Sequence, residues 1–457
     1  MTTRRVWVVL PDLLSIRVCF DAGIMEGLRE RLGGAITGVF LVPPAAAAEW
    51  TGRLNETPVL QGDELTASSG NLGARVSRRL DSWLDRRIGY YPLAIRLNHR
   101  HGFHAERMQP GHQNWMLDSS REGWLPRSAA LERGMQRWFF SQRRHVPRRL
   151  LEAMRDECAA LVVANVQPLI VVPYLAAARR LDLPVVAYVA SWDHTVGKGV
   201  ISPHCERYVV QNAVMEDDLR VYHDIDPGRI VVTGWPQTDV FDKPRPRATY
   251  DALLRAYGLD PSRSLVLVMG NTPTNTPYEG RFVERLLAWW DEGARERFQL
   301  LFRPHPRDKE WAERFRAAQG RAGVHLQEPS YTDLDALATL LQHADVVVAN
   351  AGTILLDALV NDRPAVCVLY DEGAPDGESW AAKNVVGKHY EELAASGAFY
   401  RAESFDDVVS GLERALASPG ELAKERRAVV REVVGDVDGR AAERAVDAIV
   451  EVVGPTV

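Results

Sequence analysis

"ADVVVANAGTILLDALVNDRPAVCV", residues 344–368, decides the fold class. A short β-branched run, DVVVAN, meets the small-residue turn Ala351-Gly352-Thr353. Apolar residues at helical spacing follow, and then a second apolar run, PAVCV. Strand, turn, helix and strand in that order predict one step of a parallel sheet covered on both faces. The turn also aims free backbone N–H groups and a helix N-terminus at whatever lies above the strand, which suits a phosphate. Thr353 is placed to cap the helix or to offer its hydroxyl to a phosphate oxygen. Asp357 falls one turn later on the same face, where a carboxylate can accept from ribose hydroxyls. The plainer reading is a strand–turn–helix in which Thr353 is only a cap.

The same alternation extends in both directions. Towards the N-terminus of this half it runs through SLVLVMG, RFVERLLAWWDEGARE, FQLLFRP, KEWAERFRAAQG, GVHLQ and DLDALATLLQHA. An earlier series reads RVWVVLP (strand), SIRVCFDAGIMEGLRERLGG (one helix) and AITGVFLVPP (strand). It resumes with RRLLEAMRDE, AALVVAN, PLIVVPYLAAARRLDL, PVVAYVA, RYVVQN, AVMEDDLRVYH and RIVVTG. Residues 236–263 are rich in Pro and charge and read as a linker containing one helix. The expected organisation is a Rossmann-like domain over 1–235, the linker, and a second Rossmann-like domain over 264–435. A helix in 436–457 would pack back across the domains. Two such halves would leave a cleft at the C-terminal ends of their strands, where open α/β sheets bind ligands.

The bulk numbers narrow the class. At 457 residues, 46% hydrophobic and 25% charged, the chain has the composition of a soluble globular protein of two or three domains. Cys19, Cys158, Cys205 and Cys367 form no CxxC pair, which argues against a disulfide framework or zinc site and fits a reducing cytoplasm. The N-terminal apolar run is too short for a signal peptide, and no stretch approaches 18 apolar residues, so neither export nor a membrane span is expected. The net charge of −6 conceals an asymmetry: residues 75–149 hold sixteen Arg, no Lys and six acids, a balance of +10 against −16 elsewhere. Trp83, Trp115, Trp124 and Trp138 lie in the same stretch. It reads as a helical insert whose arginines pair with acids. The competing reading is a surface that docks on anionic lipid at the inner face of the membrane.

Three further segments carry candidate chemistry. In MGNTPTNTPYEG (269–280), Gly270, Asn271 and Thr272 could line a nucleotide's phosphates through the backbone, although the segment has neither a P-loop Lys nor a GxGxxG fingerprint. In LLFRPHPRD, Arg303 ends a strand and His305 sits between two prolines, an arrangement that can neutralise a pyrophosphate without metal. In SWDHTVGKG (191–199), Asp193 and His194 are candidates for the base and Lys198 for an anionic acceptor or donor phosphate. The plainer reading of that segment is a helix start capped by Asp193 or Thr195. No metal site is expected. The acids of DLD (333–335), DID (224–226) and DVD (436–438) read as solvated or capping groups, and the histidines at 99, 101, 104 and 112 as part of the insert.

These residues together resemble the GT-B glycosyltransferase superfamily, in the branch with CDP-glycerol glycerophosphotransferases, envelope-polysaccharide glycosyltransferases and non-hydrolysing UDP-GlcNAc 2-epimerases. Arg303-Pro304-His305-Pro306 matches that branch's Lys/Arg-Pro-His-Pro. Asn350, Gly352, Thr353, Asp357 and Arg363-Pro364 follow its strand, turn, helix acid and Lys-Pro pattern. VVTGWPQTDVF resembles its Thr-Gly-x-Pro-x-x-Asp segment. The glycerophosphotransferases carry Trp-His-Gly-Thr-Pro-x-Lys, whose His is the implied base. Here Asp193 takes that place, and Ser191-Trp192-Asp193 with Lys198-Gly199 is similar to the polysaccharide-glycosyltransferase version. The resemblance spans roughly residues 155–450 and implies a metal-independent, inverting glycosyltransferase of GT-B architecture.

Such an enzyme would take a nucleotide-diphosphate sugar as donor, with no separate cofactor. The acceptor would be a hydroxyl of a glycan, a lipid-linked or a small-molecule compound, in the making of an envelope polysaccharide. It also implies His194 or Asp193 as base, with Gly270, Asn271, Thr272, Arg303, His305, Asn350, Gly352, Thr353 and Asp357 around the donor. No nucleic-acid partner is expected. The alternatives are a CDP-alcohol polyol-phosphate transferase, a nucleotide-sugar 2-epimerase and a non-catalytic nucleotide-binding protein.

Overall fold

The computed structural model describes residues 4–54, 57–66, 145–197, 201–375 and 388–454, together with positions 76, 79 and 140. Lys198 and nearly all of the Arg/Trp-rich segment, with the histidines at 99, 101, 104 and 112, lie outside the described residues. The chain forms two compact units. One holds the described residues up to Asp239 and those from Gly435 onward; the other runs from Val240 to Val434.

The first unit is built on β1 (Arg5–Leu10), β2 (Ile36–Phe40), β3 (Val59–Gln61), β4 (Cys158–Val163), β5 (Val185–Tyr188), β6 (Arg207–Val210) and β7 (Ile230–Val232). All pairings are parallel, in the order β3-β2-β1-β4-β5-β6-β7. Its helices are α1 (Leu13–Asp21), α2 (Ile24–Arg31), α3 (Pro44–Gly52), α4 (Gly62–Thr66), α5 (Arg148–Glu157), α6 (Val172–Arg180) and α7 (Ala213–His223). The single helix expected over 15–34 is broken in two, because Gly23 turns left-handed (φ +88°) to start α2. Asp12 starts α1 with a capping box, accepting from Ser15 N–H at 2.8 Å.

The second unit holds β8 (Ser264–Met269), β9 (Phe298–Arg303), β10 (Val324–Leu326), β11 (Val346–Asn350), β12 (Ala365–Val368) and β13 (Tyr400–Ala402), again all parallel, in the order β10-β9-β8-β11-β12-β13. The segment expected to be a linker with one helix holds two, α8 (Pro236–Asp242) and α9 (Arg247–Ala256), and the unit boundary falls within α8. There follow α10 (Glu279–Trp289), α11 (Trp311–Arg314), α12 (Leu334–His343), α13 (Thr353–Val360), α14 (Glu391–Ala395), α15 (Phe405–Ala417), α16 (Ala423–Val429) and, back in the first unit, α17 (Ala441–Val453).

Helices on both faces explain why β1, β4, β5, β8, β9, β11 and β12 are buried almost throughout. Trp290, fully buried in the second unit's core, satisfies its indole by donating to Phe298 O at 3.0 Å. The order of strands reverses beside β1 in one sheet and beside β8 in the other, so the switch points fall at β1/β4 and β8/β11. Among the described residues no helix is long and apolar enough to cross a membrane.

Candidate functional site

In the second unit the register sets Met269 opposite Arg303 on one side and Ala349 on the other, so the chain leaves β8, β9 and β11 at one level. Gly270 starts the loop after β8 and donates to Arg303 O at 2.9 Å. A side chain at Gly270 would meet Phe315 Cζ at 2.8 Å and Pro304 Cα at 3.1 Å, so only glycine fits there. The amides expected to line a phosphate are engaged within the unit. Asn271 N–H donates to the Glu279 carboxylate at 3.0 and 3.2 Å, and Thr272 N–H to Asn271 Oδ1 at 2.8 Å. Over the strand ends this loop therefore offers side chains: the paired Thr272 and Thr274 hydroxyls (2.8 Å) and the Asn275 amide, which reaches Asn271 Oδ1 at 3.2 Å.

Below that loop lies a buried charge cluster. Arg314 pairs with Glu279 at 2.8 Å and with Asp308, and all three side chains are less than a tenth exposed. Burial pushes the Glu279 carboxyl up to about 8, against the pull of the Arg314 guanidinium and the Asn271 N–H.

Arg303 forms a bidentate pair with Asp333, both bonds at 2.6 Å, and also donates to Gln327 at 2.7 Å. The guanidinium expected at a pyrophosphate is here a strut between β9 and the start of α12. His305 accepts from Arg307 N–H at its Nδ1 (3.0 Å), which puts the imidazole proton on Nε2.

At the end of β11, Asn350 donates to Val368 O at 3.1 Å and so joins β11 to β12. Gly352, not Thr353, is the N-cap of α13: its extended backbone (φ −171°) makes Thr353 the first helical residue, and the N-cap makes no side-chain capping bond. Thr353 is therefore not the cap, and the N-cap residue itself has no side chain to offer the leading turn of α13. Asn271 Nδ2 stands 3.9 Å from where a Gly352 side chain would begin, which brings the β8 loop and the β11 turn together. Asp357 is buried within α13.

In the first unit, residues 191–197 form consecutive turns rather than the start of a helix. Ser191 Oγ donates to Asp193 Oδ1 at 2.6 Å, His194 N–H to Ser191 O at 3.0 Å, and Gly197 N–H to Asp193 O at 2.7 Å. His194 Nε2 lies 3.9 Å from Asp193 Oδ1; its side chain is 8% exposed, that of Asp193 25%. Helix α7 fastens this loop. Thr195 Oγ1 donates to Asp218 at 2.6 Å, His223 Nε2 bonds Thr195 O at 2.7 Å, and His223 Nδ1 accepts from Ile201 N–H at 3.1 Å. Burial takes the His223 pKa down to about 4, so its ring is neutral near pH 7. The β1/β4 switch point carries Asp12, which accepts from Asn165 Nδ2 at 2.7 Å.

Sequence reasoning missed Asp218, His223, Glu279, Asp308 and Arg314. It singled out the Thr-Gly-x-Pro-x-x-Asp segment as a resemblance without assigning its acid a task. Asp239 caps α17, accepting from Ala441 and Ala442 N–H at 3.1 and 2.7 Å, while Arg444 Nε reaches Thr233 O at 2.7 Å. Acids of two of the three short Asp motifs are ion-paired, Asp333 with Arg303, Asp335 with Arg245 and Asp438 with Arg444, and in the third Asp226 accepts from Gly228 N–H at 2.9 Å. Among the described residues no group of three or more His, Cys, Asp or Glu is placed to hold a metal ion.

Residues 199–451 match the model of the CDP-glycerol:poly(glycerophosphate) glycerophosphotransferase family. Comparison with curated protein sequences finds no match. Among solved structures, the UDP-GlcNAc 2-epimerase from Methanocaldococcus jannaschii is similar over 99% of this chain and 100% of its own, at 12% identity and a TM-score of 0.52. The UDP-GlcNAc 2-epimerase from Neisseria meningitidis bound to UDP-GlcNAc gives 11% identity and 0.53, covering 99% of this chain and all of its own. The S. aureus MnaA–UDP co-structure gives 11% and 0.53, covering 98% and 96%. At these identities the likeness is one of fold: two parallel-sheet domains of GT-B type.

Proposed function

The chain belongs to the CDP-glycerol:poly(glycerophosphate) glycerophosphotransferase family, and on that premise we propose that it transfers a polyol-phosphate unit from a CDP-linked donor to an acceptor hydroxyl of an envelope polymer. The family match over residues 199–451 is the observation that carries this reading. It moves the balance from the sugar donor expected first to the CDP-alcohol alternative.

On this reading the acceptor oxygen attacks the β-phosphorus of the donor. A new P–O bond forms, the P–O bond to the CMP moiety breaks, and CMP leaves with the electron pair. His194 takes the acceptor's proton, and Asp193 at 3.9 Å steadies the imidazolium that results. The second unit holds the nucleotide at the C-terminal ends of β8 and β11. The N-terminus of α13, whose N-cap is a glycine, offers backbone N–H groups to the phosphates, and the Thr272 and Thr353 hydroxyls and His305 Nε2–H complete the set. Lys198 is proposed to meet a phosphate on donor or acceptor. These groups meet the donor's charge without a divalent ion, so activity should survive EDTA.

A second reading keeps the sugar donor, and the Ser191-Trp192-Asp193…Lys198-Gly199 segment favours it. There the acceptor oxygen attacks the anomeric carbon with inversion, the C–O bond breaks, and a nucleoside diphosphate leaves. The nucleotide released separates the two. Incubation with CDP-glycerol, CDP-ribitol and common nucleotide sugars, plus a polyol-phosphate primer, should release CMP. Release of UDP or another diphosphate would establish the second reading. Conversion of a nucleotide sugar without any acceptor would mark an epimerase, and binding without turnover a non-catalytic protein.

A further inference from the structure

We propose that Arg314 is the positioning residue of the donor site, clamping both ends of the 270–276 loop so that its hydroxyl and amide side chains are presented to the donor's phosphates. This rests on the donor site proposed above. The loop is rich in Thr, Asn and Pro and is irregular, and fixing one residue of such a loop costs about 1–2 kcal/mol of backbone entropy. One buried guanidinium supplies the restraint. Arg314 Nη1 donates to Asn271 O at 3.0 Å, near the loop's start, and Nη2 donates to Thr276 O at 2.8 Å, at its end. Nη2 also reaches Glu279 Oε2 at 2.8 Å, and that carboxylate in turn accepts the Asn271 N–H.

The clamp extends to a second segment of the site. Asp308, fully buried and paired with Arg314, donates its own N–H to His305 O at 2.8 Å and accepts Glu310 N–H at 2.9 Å. The turn that carries His305 is thereby tied to the loop after β8. Phe315, next in sequence, packs where a Gly270 side chain would sit. Two carboxylates and one guanidinium out of water are a poor way to gain stability, and buried ion pairs are often no better than apolar replacements. The planar fork of an Arg can span two carbonyls and a carboxylate at once, whereas the compact ammonium of a Lys cannot. The arrangement therefore makes sense as a fixing of shape.

The test is calorimetric titration of CDP into the full chain, for the parent protein, Arg314→Lys and Glu279→Gln, with folding checked by circular dichroism and amide exchange followed in 270–276. Arg314→Lys should weaken CDP at least tenfold and speed Asn271 exchange, with the charge alone giving no rescue. Glu279→Gln, isosteric and without a net buried charge to strand, should weaken CDP about threefold and speed the same amide. If the parent binds no nucleotide, the donor reading falls. If the parent binds and a folded Arg314→Lys binds CDP equally well with unchanged loop exchange, the clamp is overturned. Should Arg314→Lys not fold, Glu279→Gln decides: unchanged affinity and exchange would overturn the clamp as well.

Discussion

The loop after β5 and the loop after β8 both end a parallel strand in irregular chain, yet they are fastened by opposite chemistry. In the first, a neutral buried imidazole and a hydroxyl–carboxylate bond hold Thr195 and Ile201 to α7. In the second, a buried Glu–Arg–Asp cluster holds residues 271–276 to α10 and α11. The first fastening rests on a ring that is neutral near pH 7. Its loop carries the proposed base, whose environment is thereby kept free of a fixed counter-charge from His223. The second concentrates charge below a loop proposed to receive phosphates. The difference separates chemistry from binding, and each can be broken alone.

The sharpest break is expected at the base. His194→Ala should lower kcat by about 10²–10⁴-fold while leaving the CDP dissociation constant nearly unchanged. Equal loss of affinity and turnover would show that the two loops do not divide the work. Next comes Arg314→Met, which strands the buried Asp308 carboxylate and leaves the buried Glu279 carboxyl without its partner; it should destabilise the second unit by about 3–5 kcal/mol, read from chemical denaturation.

The two fastenings should also respond to pH with opposite sign. His223 has a native pKa of about 4, below the ordinary value near 6.5 that applies when unfolded. Its contribution is therefore complete above pH 6.5 and is lost as pH falls towards 4, a difference of about 3 kcal/mol. Glu279, facing Arg314, Asp308 and the Asn271 N–H, is raised instead. Its contribution is complete below about 4.5 and is lost as pH rises through about 8. Denaturation from pH 4 to 8.5 should show His223→Gln flattening the acid side and Glu279→Gln the alkaline side. The same substitution flattening both would mean that the loops are coupled. The smallest effect is expected at Asp239→Ala, which removes the cap of α17 and should cost about 0.5–2 kcal/mol with no change in CDP affinity.

Most of the two-sheet architecture was legible because its strands are short apolar runs between helices, and a parallel strand covered on both faces is written in no other way. The exceptions are local. Gly23 splits one amphipathic pattern into α1 and α2 through a left-handed turn that the pattern does not register. β3 and β13 are three residues each, too short to display a period. Of the candidate site, the turn at 350–353 was found because strand, small residues and helix are contiguous. Of the two tasks open to Thr353, capping falls away, because the extended backbone of Gly352 makes that residue the cap. Arg314 stands 43 residues from Asn271 and 35 from Glu279, and His223 stands 28 from Thr195. Such partners leave no trace in a single sequence, where an Arg on a short helix reads as solvated surface.

The central claim, a CDP-linked donor held without metal by the second unit, is tested most directly by thermal shift with CDP, UDP, GDP, dTDP and ADP, with and without EDTA. The account predicts that CDP, at about 100 times its dissociation constant, stabilises the protein by about 2.7 kcal/mol in either condition, and more than the others do. A melt that no nucleotide moves would contradict it.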